Sequence, residues 1–165
     1  MIGPMPDDLI ERVVAESRVQ TAAALRDALR MAPSAVLAKL AVDIVPELFR
    51  NDYHGEPARH GAYWADAVAR PRTTILPTFL VRVHHGAFTQ EEIQTLVAEM
   101  MAAHASQAAL VVIGPLVAPA VRNALGASVP WLVDTDGLIH LMIGANIGVA
   151  SRHYETKYVD ADYFR

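Results

Sequence analysis

Cysteine is absent from this 165-residue chain, and lysine nearly so, with Lys39 and Lys157 the only two. The first absence excludes a disulfide framework, a thiolate zinc site and a cysteine nucleophile. The second accompanies an acidic balance, 18 acidic against 14 basic residues and a formal net charge of -4. Such a balance argues against a protein-wide electrostatic grip on phosphate backbones, which needs a basic face. Arginine supplies what local positive charge there is, and Arg70, Arg72 and Arg82 lie close in sequence. Long apolar runs are also missing: "AALVVIGPLVAPAV" is broken by Pro115 and Pro119 and falls short of a membrane span. The start, "MIGPMPDDLIER", lacks the basic-then-apolar order of a secretory leader. These absences lead to the expectation of a soluble, cytoplasmic protein that does not engage a membrane.

Apolar residues are plentiful at 53%, enough for one well-packed core in a chain of this length. Residues 7–31 place Ile10, Val13, Val14, Leu25, Ala28 and Leu29 at helical spacing, with acids at the front and arginines toward the end, as the helix dipole favours. After "APS", Ser34 is a candidate cap for a second helix that Pro46 bends or ends. The polar stretch "RNDYHGEPARHG" at 50–61 reads as a loop. "AYWADAVA" and "TFLVRV" then read as the two strands of a hairpin joined by "RPRTTILP". Thr89 and Glu92 have the spacing of a capping box for the helix "TQEEIQTLVAEMMAAHA", and "AALVVI" is a short buried strand. A helix near 117–126, a strand in "VPWLVD" and a helix "TDGLIHLMIGAN" capped by Asp134 or Thr135 follow. The tail "VASRHYETKYVDADYFR" is expected to lie across the body of an α/β fold.

Seven histidines raise the question of a metal, but positions 54, 60, 84, 85, 104, 140 and 153 include no helical His-x-x-x-His pair and no H-E-x-x-H. Ser34, Ser106, Ser128 and Ser151 lack a G-x-S-x-G elbow, and "GEPARHG" lacks the spacing of a nucleotide loop. The hairpin is what remains. Arg82 and His84 are two apart on an apolar strand and so share a face, and Asp66 stands sixteen residues before Arg82 on the neighbouring strand. A carboxylate followed at this distance by polar-x-polar is the spacing with which metal-dependent nucleases hold Mg²⁺. The plainer reading makes Asp66 a hairpin residue paired with Arg70 or Arg82, Arg82 a solvent-facing strand residue, and Trp64 and Trp131 packing residues.

The segment "WLVDTDGLIHLMIGANIGV", followed by "YETKYVDADYF", resembles the C-terminal end of Mrr-type restriction endonucleases. "FLVRVHHG" is similar to that family's catalytic strand, "EEIQTLVAEM" to the helix after it, and "LVVIGPLVAPAV" to the next strand and helix start. The resemblance covers residues 33–165, which leaves 1–32 as an N-terminal helical extension. It implies a restriction-endonuclease-like PD-(D/E)XK core, a central mixed sheet flanked by helices, that cuts DNA with Mg²⁺. Carried over residue by residue, Asp66 stands at the metal-binding aspartate, Arg82 at the metal-side Gln or Glu, and His84 at the lysine. The helical glutamate falls near Ala38, and a Thr-Thr-Ser stretch becomes Val112, Ile113 and Gly114. Asp66 and His84 are then the catalytic candidates, with Asp66 the metal ligand if the site is active. Arg82, His85, Arg70 and Arg72 line the site or meet nucleic acid.

The chemistry departs from the family at the positions that matter. An arginine has no lone pair to offer Mg²⁺ and stays protonated, so beside Asp66 it pairs with the carboxylate and puts a fixed cation where the metal belongs. Histidine in place of lysine removes an ammonium that stabilises charge near the scissile phosphate. Three readings stay open at this stage. The chain is a pseudo-nuclease that recognises double-stranded DNA or a protein partner in a defence or phage setting, needing no cofactor. Alternatively it is an active endonuclease holding Mg²⁺ or Mn²⁺ with Asp66, His84 and Glu56 or Asp52. The third reading is a structural module in which the N-terminal helix and the tail build a homo-oligomer.

Overall fold

The computed structural model describes residues 7–151 and 157–165; the "RHYET" part of the tail, His153 included, lies outside the described residues. Three helices come first: α1 (Asp7–Arg30), α2 (Ser34–Asp43) and α3 (Val45–Phe49). Strands β1 (Tyr53–His60), β2 (Trp64–Pro71) and β3 (Phe79–His85) form an antiparallel meander. Helix α4 (Gln90–Ala102) carries the chain to β4 (Gln107–Ile113), and α5 (Pro119–Leu125) to β5 (Trp131–Val133). Both of these strands run parallel to β3. The sheet is therefore mixed, in the order β1-β2-β3-β4-β5. Helix α6 (Thr135–Ala145) returns along it, and β6 (Val149–Ser151) pairs with β7 (Lys157–Val159) as a separate ribbon. Among the described residues no helix is long and apolar enough to cross a membrane.

Alternation along β3 sorts the core into two layers. Val81 and Val83 face a cluster built by Leu25 and Leu29 of α1, Leu37 and Leu40 of α2, and Leu138 and Met142 of α6. Leu80 faces the other cluster, with Leu96 and Met100 of α4 and Val121 and Leu125 of α5. Because side chains two apart share a face, Arg82 and His84 belong to the α4 side.

The segment read as a loop at 50–61 is instead the edge strand β1. Its glycine is there for close approach: a Cβ on Gly55 would lie 2.6 Å from the carbonyl oxygen of Val42 in α2. Pro57 is tolerated because β1 is an edge and its register with β2 shifts between Pro57 and His60. Three capping details also differ. Pro33, not Ser34, is the N-cap of α2, and the side chain of Thr89 makes no capping bond to α4. The helix break falls at Ile44, so that Pro46 sits in the first turn of α3, where a missing N–H costs nothing. At α6 the expectation holds: Asp134 Oδ1 accepts from the Gly137 amide at 2.7 Å. Thr135 Oγ1 instead ties α6 to the end of β4, accepting from the Gly114 amide and donating to the Val112 carbonyl.

Candidate functional site

The antiparallel register of β2 and β3 sets Asp66 opposite Arg82 and Trp64 opposite His84. The Arg82 Nε donates to Asp66 Oδ1 at 2.7 Å and one terminal nitrogen, Nη2, to Oδ2 at 2.8 Å. This fork-on-carboxylate geometry satisfies both oxygens at once. The indole of Trp64 lies over the guanidinium, 4.1 Å from its carbon to the ring centre, which adds a cation–π contact. His84 Nε2 bonds the Ala87 carbonyl at 3.1 Å, which assigns that nitrogen the proton, and its ring stands edge-on to Phe88. Glu99, reaching in from α4, pairs with Arg59 of β1 at 3.0 Å and is near enough to influence Asp66. Charges thus alternate from Arg59 to Glu99 and from Asp66 to Arg82.

The cluster is sealed. Asp66, Arg82 and His84 are 1%, 0% and 3% exposed. Burial raises the Asp66 carboxyl above its ordinary value, against the pull of the Arg82 hydrogen bonds in the other direction. Burial lowers the His84 imidazole, against the Ala87 hydrogen bond, so the ring is held neutral. Two buried nitrogens, Arg82 Nη1 and His84 Nδ1, have no hydrogen-bond partner among the described residues.

These residues do not fit a divalent metal. Both oxygens of Asp66 accept from Arg82, and a guanidinium cannot ligate a cation. Among the described residues no group of three or more His, Asp or Glu converges on a point. Glu56, a candidate third ligand, is bonded at the surface to Arg70 and His54. Ala38, the position expected near the helical glutamate, lies on α2 and packs against the opposite layer of the core. Helix α2 therefore adds nothing to the Asp66–Arg82 pair.

The remaining candidates are scattered. Arg70 is four residues beyond Asp66 on β2, about 13 Å along the strand, and is exposed. Arg72, also exposed, donates from Nε to the Asn51 carbonyl. His85 projects to the α1 side, where Nε2 bonds the Arg30 carbonyl at 2.7 Å. Sequence reasoning missed the roles of Trp64, Arg59 and Glu99. The first was within reach, since Trp64 is two residues before Asp66 and shares its face. Nothing local announces the other two, which meet across β1 and α4.

No family model and no curated protein matches the sequence. Among solved structures the chain is similar to the DNA modification-dependent restriction endonuclease AspBHI, with a TM-score of 0.51 and 14% identity over 78% of this chain. The fold is restriction-endonuclease-like. The match takes in 36% of the AspBHI chain, so this protein spans about a third of that structure.

Proposed function

We propose that this chain is an Mrr-like pseudo-nuclease, a restriction-endonuclease-like module that recognises double-stranded DNA without cutting it, in a defence or phage setting. The observation that carries the reading is the buried Arg82 fork on Asp66. It occupies the carboxylate that a nuclease of this fold would spend on Mg²⁺. DNA is the favoured ligand because the structural neighbour is named for a DNA substrate. With no exposed surface, Arg82 is spent on Asp66 and the Trp64 ring and offers nothing to a phosphate. Contacts to phosphate fall to Arg70 and Arg72, exposed where β2 leads into the hairpin turn. Such contacts position a duplex without reading its sequence.

The test is incubation of methylated and unmethylated plasmid with the protein in Mg²⁺ and in Mn²⁺, alongside a gel-shift titration in rising salt. Intact plasmid with a salt-dependent shift that Arg70→Ala and Arg72→Ala weaken is expected. Cleavage that disappears in Asp66→Ala would overturn the pseudo-nuclease reading, and absence of any shift would overturn DNA recognition.

A further inference from the structure

Helix α1 runs for 24 residues, about 36 Å, yet among its described side chains those that enter the core, Thr21, Leu25 and Leu29, belong to its C-terminal part. Between Leu9 and Gln20 the described side chains are exposed or half-buried. Leu9 and Val13 are 38% and 39% exposed, and Glu11 and Glu16 stand on the same half. Among the described side chains this is an acidic amphipathic half-helix whose apolar residues Leu9 and Val13 stay partly open to solvent. A segment of that length gains too little from its own hydrogen bonds to be stable in water and depends on packing.

The second half of α1 borders the complementary feature. Between α1 and α6 runs a furrow of about 450 Å³ with Arg18, Arg26 and Lys157 on its rim above Ala22, Ile139 and Ile143. It continues at Arg26 into a hollow of about 370 Å³ beside Arg30 and His85. Asp136, already paired with Arg26, is the carboxylate among the described lining residues. In an acidic protein this is a concentration of positive charge over an apolar floor. A phosphate backbone would leave that floor uncovered, since nucleic-acid interfaces are polar and wet. An acidic amphipathic helix covers the floor and meets the rim together.

We infer that the occupant is the N-terminal half of α1 from a second copy of this chain. The two features cannot meet within one molecule, because Glu16 and Arg18 are two residues apart on one rigid helix. In an antiparallel pair of copies, each acidic half lies in the other's basic-rimmed furrow. The contact is made twice by one two-fold axis, as isologous interfaces are. This dimer does not depend on DNA recognition.

Sedimentation of the full chain tests it with two charge-reversed variants. One carries Glu11→Arg with Glu16→Arg, the other Arg18→Glu with Arg26→Glu. The wild type is expected at twice the 17.9 kDa chain mass. Each variant alone, with its circular dichroism unchanged, should dissociate at least roughly tenfold more readily, because like charges then face each other across both contacts. Mixed together, the two variants should form a heterodimer, since a basic helix then meets an acidic furrow and an acidic helix a basic one. A monomeric wild type, or a dimer indifferent to both reversals, would overturn the inference. So would loss of DNA binding in Arg18→Glu with Arg26→Glu while variant and wild type sediment at the same mass, which would assign the furrow to nucleic acid.

Discussion

Arg82 and Asp66 are register partners on adjacent antiparallel strands, joined by two hydrogen bonds and shut off from solvent on both sides. A pair held this way is stable only while both members are present, because either charge alone would be stranded in a low-dielectric interior.

Asp66→Ala should therefore cost about 3–5 kcal/mol in urea unfolding, most of it the penalty of an unpaired buried guanidinium. Arg82→Met should cost less in mild acid, where the freed carboxyl takes up a proton. Its folded-state pKa is then raised further, so the variant's stability falls as pH rises through that value. Replacing both, Asp66→Leu with Arg82→Met, should come within about 1 kcal/mol of the wild type, as apolar replacements of buried ion pairs do. Equal costs for the two single variants at every pH would contradict a sealed pair.

His84 supplies a pH dependence of opposite origin. Burial holds the folded ring's pKa below the ordinary 6.5, so below that value the unfolded chain binds a proton that the folded chain refuses. The stability contributed is present above 6.5 and is lost as pH falls through the folded value. Unfolding midpoints between about pH 7.5 and pH 5 should fall more steeply for the wild type than for His84→Leu. Comparison with the variant cancels the other histidines; parallel slopes would show that His84 is not held neutral.

Gly55 is the cheapest probe of the β1 assignment. Adding a methyl there pushes it into the backbone of α2 at 2.6 Å, and backbone cannot rotate aside. Gly55→Ala should destabilise by about 1–3 kcal/mol, the range for overpacking a tight contact. A loop glycine would show almost no change, so a melt within error of the wild type would contradict the strand.

Much of this architecture was legible in the chain itself. The local pattern determined an α/β order, the sharing of a face by Arg82 and His84, and the α6 start with Asp134 or Thr135 as its cap, because each depends on residues within a few positions of one another. Tertiary structure decided the rest. "RNDYHGEPARHG" has the composition of a loop, and only its pairing with β2 makes it a strand, with Gly55 set against Val42 of α2. Asp66, Arg82 and His84 look like the floor of an open cleft until α4 and Trp64 cover them. Ala38 resembles a site position until α2 packs on the other side of the sheet. Local spacing fixes which side chains share a face, whereas the helix that covers that face depends on how distant segments cross the sheet. That crossing is what separates a buried ion pair from a metal site built on the same hairpin.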